Sequence, residues 1–197
     1  MFRATDDEVV IPAQAGIHVQ ADVWIPAFAG MTRKRKELVK SGYHAPQLDK
    51  ATFRKARIAI VATRWNTGIV NRLVAGARRC LRDWGVPAGR IDLYRVPGAF
   101  EIPLALELLA RRDRHDGVVA LGAVIRGDTP HFDFVAGECA RGLQEVALRH
   151  ALPVGFGVLT VNTAEQAEAR AGETRSNKGY ESAASVLEMI ALARKIK

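Results

Sequence analysis

Between Gly122 and Glu138 the chain reads Gly-Ala-Val-Ile-Arg-Gly-Asp-Thr-Pro-His-Phe-Asp-Phe-Val-Ala-Gly-Glu. An apolar run, Val118 to Ile125, enters this stretch and has the composition of a buried strand. A helical pattern leaves it. Between them lie Gly127, Asp128, Thr129, Pro130 and His131. A strand that turns sharply into a helix leaves the first N–H groups of the helix without partners, with the positive end of the helix dipole behind them. A phosphate suits such a junction. A histidine placed there can move protons near neutral pH. The stretch predicts an anion site with an acid/base, His131, beside it.

The rest of the body supplies the elements that must hold this junction. Arg57 to Thr63 predicts a short strand, followed by Arg64-Trp65-Asn66-Thr67 and a helix. The helix shows Ile69, Leu73, Ala77, Cys80, Leu81 and Trp84 at helical spacing. Asn66 or Thr67 can cap its start, and Gly85 fits its end. Ile91 to Val96 predicts a second strand, and Pro97 to Pro103 leads into a helix reaching about Arg111. The third strand and the junction come next, then a helix from Phe132 to about Ala151. Val154 to Thr160 is the fourth strand. Thr163-Ala164-Glu165-Gln166 has capping-box form and opens a short helix ending at Gly172. The last helix runs from Lys178 to about Lys195.

Continuous apolar strands alternating with helices imply a three-layer α/β/α domain around a four-stranded, mostly parallel sheet. Right-handed crossovers make it doubly wound. Ligands in such sheets bind outside the carboxyl ends of the strands. Here those ends are Thr63 to Asn66, Val96 to Glu101, Arg126 to His131 and Thr160 to Thr163, where glycine, polar and aromatic residues gather.

The chain has 197 residues, a net charge of +8 and a sequence pI near 9.9. That balance invites a nucleic-acid reading. The charge is spread, however: residues 1–57 and residues 58–197 each carry a net +4. The densest run, Arg33-Lys34-Arg35-Lys36, lies where fold signals are weak, as a solvated tail does. A mildly basic body also suits an enzyme with an anionic substrate. Cys80 and Cys139 each fall inside a helical pattern with no Cys or His at metal spacing, so buried thiols in a reducing cytoplasm are expected. No apolar run has the roughly 18–20 residues of a membrane span. Asp6, Asp7 and Glu8 argue against a signal peptide.

Ile11-Pro12-Ala13-Gln14-Ala15-Gly16 recurs as Ile25-Pro26-Ala27-Phe28-Ala29-Gly30. The pair resembles the peptide read from a dispersed bacterial DNA repeat caught in an open reading frame. Residues 1–52 are expected to form a disordered extension, with 53–197 as the folded domain.

Val96-Pro97-Gly98-Ala99-Phe100-Glu101-Ile102-Pro103, the Gly122 stretch, and Phe156-Gly157-Val158-Leu159-Thr160 together resemble the lumazine synthase family. So do Glu165-Gln166-Ala167-Glu168-Ala169-Arg170-Ala171-Gly172 and Asn177-Lys178-Gly179-Tyr180-Glu181. The resemblance covers about residues 55 to 196, in order and at family spacing. It implies a flavodoxin-like sheet and a cofactor-free condensation of 5-amino-6-(D-ribitylamino)uracil with 3,4-dihydroxy-2-butanone 4-phosphate, a step of riboflavin biosynthesis. It further implies an obligate oligomer of pentamers, either single, paired or closed into an icosahedral shell, with riboflavin synthase as a potential partner. Neither nucleic acid nor membrane is expected as a partner. A non-catalytic scaffold or a flavin-binding module on the same fold is the competing reading.

The resemblance assigns roles residue by residue. His131 matches the proton-shuttling histidine, and Arg170 the arginine that grips the substrate phosphate. Gly127, Asp128 and Thr129 would offer donors to the same phosphate, although Asp128 departs from the small residue common in the family and must point away. Trp65 stands where phenylalanine usually stacks on the pyrimidine, with Asn66 beside it. Ala99, Phe100 and Glu101 match the loop that holds the ribityl chain, and Val124 and Ile125 give backbone contacts. Phe156 and Lys178 match residues supplied by a neighbouring subunit. Asp133 and Glu138 either orient His131 or face solvent.

Overall fold

The structure, a computed structural model, describes residues 49–196. The repeated Ile-Pro-Ala segments, the basic run at Arg33 and the rest of the chain before Asp49 lie outside the described residues. Asp49 caps a single 3-10 turn, Lys50–Phe53, by accepting a hydrogen bond from the Ala51 N–H at 2.9 Å. Phe53 is fully buried and meets the Trp84 ring. Phe53 is the first buried residue among those described.

Strand β1 (Ile58–Thr63) is buried at every position. Its apolar, β-branched run suits a strand covered on both faces. Strands β2 (Ile91–Val96), β3 (Gly117–Ile125) and β4 (Val154–Val161) join it in the order β2-β1-β3-β4, and all three pairings are parallel. The central strands β1 and β3 are the most buried. Edge strand β2 is half-exposed, and there Tyr94 and Arg95 face outward.

Side-chain alternation divides the sheet into two cores. On one face Ile58, Ile60, Ala62, Val119, Leu121, Leu159 and Val161 meet helices α1 (Thr67–Asp83) and α5 (Lys178–Ile196). On the other, Ala59, Val61, Val118, Ala120 and Val158 meet α2 (Ile102–Ala110) and α3 (His131–His150). The short helix α4 (Ala164–Arg170) adds Ala167 to the first core. The element limits agree with the sequence reading to within a residue or two.

Helices α1 and α5 cross very closely. A Cβ at Gly179 would lie 2.0 Å from the Leu73 carbonyl oxygen, and one at Gly76 would lie 2.2 Å from Asn177 Oδ1. Asn177, 2% exposed, fills the crossing. Its Oδ1 accepts from the N–H groups of Gly179 and Tyr180, capping α5, while its Nδ2 donates to the carbonyls of Arg72 and Gly172. A buried amide is tolerated because its hydrogen-bonding capacity is met.

Candidate functional site

In the order β2-β1-β3-β4, the chain leaves β1 toward one edge and reaches β4 at the other. The switch point lies between β1 and β3, where a doubly wound sheet opens a crevice at its carboxyl end. Strand β3 also outruns its neighbour. Ile58 to Ala62 pair with Gly117 to Leu121, and pairing with β1 stops there. Gly122 to Ile125 continue in register with Val158 to Val161 on the other side only. The β1-facing backbone edge of these residues is thus freed from the ladder.

A cleft of about 670 Å3 occupies this place. Its walls come from the loops after β1, β2 and β3. Trp65, Asn66, Ala99, Phe100, Glu101, Val124, Ile125, Thr129 and His131 all line it. Its volume suits a small organic ligand, and its aromatic and apolar walls with a few polar groups have the usual character of such sites. Trp65 is 73% exposed and Phe100 60% exposed, so neither ring is spent on the core.

Local bonds hold these side chains in place. The backbone N–H groups of Arg64 and Trp65 reach the carbonyls of Val96 and Pro97, tying the loop after β1 to the loop after β2. Gly98 brings its backbone against Trp65 and donates its N–H to Glu101 Oε2 at 2.8 Å. Asn66 adopts a left-handed backbone at the start of α1, with φ 55°. Asn tolerates that region better than most residues. It was expected as a possible side-chain cap, but its Nδ2 donates instead across the switch point to the Ala123 carbonyl at 2.8 Å. That bond uses one of the carbonyls that β1 leaves free.

Helix α3 begins at His131 with Pro130 as its N-cap and no side-chain cap. His131 is exposed at the cleft, at the positive end of that helix. Neither acidic neighbour orients it. Asp133 binds Arg126, with its closest oxygen at 2.8 Å, and Glu138 pairs with Arg141. The capping box of α4 is shifted by one residue. Thr163 Oγ1 accepts from the Gln166 N–H as expected, but the Gln166 side chain accepts from Asn162.

Four expected residues stand outside this lining. Asp128 is exposed on the loop and absent from the wall. Phe156 sits on edge strand β4, 48% exposed. Arg170 ends α4, where its Nη1 donates to the Gln166 carbonyl at 2.9 Å. Lys178 opens α5 and pairs with Glu181. Conversely, Phe132, Phe134 and Val135 of α3 line the cleft without having been singled out. Phe134 stands three residues after His131, hence on the same helical face, and its 66% exposure shows that the core does not use it.

A parallel α/β/α sheet with an aromatic cleft at its switch point defines an α/β protein with a site for a small molecule. Comparison with known proteins narrows this class. The family model for 6,7-dimethyl-8-ribityllumazine synthase matches residues 55–194. The chain is 51% identical over 142 residues to a 6,7-dimethyl-8-ribityllumazine synthase of Halorhodospira halophila, covering 72% of this chain and 91% of that one. It is 50% identical over 134 residues to one of Desulfovibrio desulfuricans, covering 68% and 86%. The chain belongs to the 6,7-dimethyl-8-ribityllumazine synthase family, transferases of riboflavin biosynthesis. Members of that family act on small molecules and typically assemble as oligomers.

Proposed function

We propose that the cleft joins 5-amino-6-(D-ribitylamino)uracil to 3,4-dihydroxy-2-butanone 4-phosphate to give 6,7-dimethyl-8-ribityllumazine, inorganic phosphate and water. The observation that carries this assignment of substrates to walls is the overrun of β3 past β1. A pyrimidinedione is flat and rimmed with amide-like donors and acceptors. The strand edge that β1 leaves unpaired, beside Val124 and at Ile125, offers the matching backbone groups. Trp65 supplies a face for stacking, and its ring is free to do so. Asn66, already using Nδ2 on Ala123, presents its carbonyl oxygen to the ring or the ribityl chain. The loop of Ala99, Phe100 and Glu101 takes the ribityl hydroxyls.

His131 acts as the proton carrier. Imine formation between the aromatic amine and the ketone, and later loss of phosphate, each move a proton, and an imidazole at the cleft suits that work. Gly127 and Thr129, beside the uncapped start of α3, hold the phosphate together with Arg170, whose planar fork matches it. Much of the acceleration comes from holding two substrates in one orientation.

The same reading accounts for the residues outside the cleft. In the proposed assembly, a pentamer or a multiple of it, Phe156 and Lys178 of one copy complete the cleft of its neighbour. The exposure of Phe156 on an edge strand supports this. Riboflavin synthase is the partner that would consume the product. We place the enzyme in the cytoplasm, where the free thiols Cys80 and Cys139 stay reduced. No described helix is long and apolar enough to cross a membrane. Residues 1–52 are proposed to take no part in catalysis.

The test is to supply both substrates and follow the yellow, fluorescent product. Formation well above the spontaneous rate, lost in His131→Ala and with a raised KM for the phosphate substrate in Arg170→Ala, is the expected result. Background rate from folded, assembled wild-type protein would overturn the proposal in favour of a scaffold.

A further inference from the structure

Arg126 is the first residue after β3, and it makes more directed contacts than any role assigned above requires. Its backbone N–H extends the ladder to the Val161 carbonyl at 2.9 Å. Its side chain then folds over α3. The guanidinium carbon lies 4.2 Å from the centre of the Phe132 ring. Nη2 and Nη1 donate to the two carboxylate oxygens of Asp133 at 2.8 and 3.3 Å, and Nε donates to Asn162 Oδ1 at 3.1 Å. Asn162 follows β4 directly, and its own N–H is held by Gln166. One planar group thus spans the end of β3, the end of β4 and the first turn of α3.

We propose that Arg126 is a positioning residue for the condensation: it fixes the first turn of α3, and through it His131, against the carboxyl ends of β3 and β4. This rests on the assignment of His131 as the proton carrier. The loop from Gly127 to Pro130 is exposed throughout, and α3 has no side-chain cap, so beyond the bond from the Asp133 N–H to the Pro130 carbonyl at 3.0 Å that turn lacks side-chain fixings of its own. The bridge supplies them from outside the helix. Phe132, pressed by the guanidinium, and His131 are adjacent cleft residues. A rotation of the turn would carry both away from the overrun edge of β3.

A structural pair at this position would matter little for folding. The side chains of Arg126 and Asp133 are 43% and 58% exposed, and ion pairs that exposed contribute little to stability. A positioning role is felt in kcat instead, because a small misplacement of a reacting group is costly. Lysine cannot replace the arginine, since an ammonium lacks the planar fork that serves Asp133 and Asn162 at once.

The experiment is a steady-state comparison of wild type, Arg126→Ala, Arg126→Lys and Asn162→Ala, each also in a His131→Ala background, with thermal melting and assembly size measured alongside. Arg126→Ala and Arg126→Lys are expected to lose about ten- to a hundred-fold in kcat with KM values within about three-fold, melting and assembly unchanged. Asn162→Ala should lose less. In the His131→Ala background the same changes should have almost no further effect on kcat, because the group being positioned is gone. Full activity in Arg126→Lys, or losses that multiply with that of His131→Ala, would overturn the proposal. So would a loss carried wholly by KM for the phosphate substrate, which would make Arg126 a phosphate ligand. If Arg126→Ala fails to assemble, Arg126→Lys and Asn162→Ala decide the matter alone. Absence of product from wild type is a different result and strikes the assigned reaction, not the bridge.

Discussion

The two ends of the sheet each hold a histidine, and the two stand in opposite settings. At the amino end His115 has a side chain only 5% exposed. Its Nε2 lies 3.0 Å from Asp92 Oδ2, its ring meets Tyr94 edge-on, and Arg57 donates to the same Asp92 oxygen at 2.8 Å. At the carboxyl end His131 is exposed, sits at a helix start and fronts a cleft lined by rings the core does not use. One imidazole is locked into packing and has no route to a substrate. The other is held by its backbone and free at its ring. The difference teaches that placement relative to strand direction makes a histidine available for chemistry. At the carboxyl end the loops and the uncapped helix start leave polar groups open. At the amino end Asp116 closes back on the Arg57 N–H at 2.7 Å and the chain seals itself.

The sharpest way to break this comparison is to delete each histidine in turn. His131→Ala should lower kcat about a hundred-fold, within the range general acid–base catalysis supplies, with melting unchanged. His115→Ala should do the reverse. It removes a buried ring and a hydrogen bond to a carboxylate, costing about 2 kcal/mol in denaturant unfolding while activity per folded molecule is retained. Equal losses of kcat in both would erase the distinction between the ends.

A second test asks whether the carboxyl end of one chain is sufficient. His131→Ala chains can be co-assembled with chains carrying both Phe156→Ala and Lys178→Ala. If each cleft is completed by a neighbour, random mixing restores about a quarter of the clefts to full composition, although neither parent has any. Activity that stays at the average of the two parents would show that each chain builds its site alone.

The amino end also predicts an acid response. The Arg57 hydrogen bond, helped by His115, holds the Asp92 carboxyl below the usual aspartate value of 3.8. A depressed folded-state value stabilises the fold above the unfolded value, and that contribution fades as pH falls through the folded one. The loss therefore belongs below about pH 4. Arg57→Ala should shrink the difference in melting temperature between pH 5 and pH 3; an undiminished difference would remove Asp92 from the account. The smallest effect concerns the thiols. Burial pushes Cys80 and Cys139 up to about 12, so both stay protonated at pH 8. Neither should react with an alkylating agent until the protein is denatured, as mass spectrometry would show.

The elements were legible because each carries its period locally. The apolar run of β3 and the spacing of Ile69, Leu73, Ala77 and Cys80 in α1 need no partner to be read. So was the junction around His131, since strand, glycine, proline and histidine lie in one short stretch. The resemblance, carried by motifs spread along the body, added roles that spacing alone could not. What stayed hidden depends on residues far apart in the chain. Asn66 looked like a local cap, yet its amide crosses 57 residues of sequence to Ala123. Asn177 falls between two helices read from the sequence, yet it is the buried clasp between α1 and α5. Arg126 looked like a strand end, yet its guanidinium joins three elements.

The sequence by itself determined that a doubly wound domain would form and that glycine, polar and aromatic residues would gather at the strands' carboxyl ends. Hydrophobic period, helix starts and parallel crossovers are properties of neighbouring residues, and they suffice for that. Only the tertiary structure decided that β3 outruns β1, that the cleft falls between them, and that Phe156, Arg170 and Lys178 stand away from it. Strand order and register are settled by the packing of side chains from both faces at once, and no local stretch of the chain contains that information.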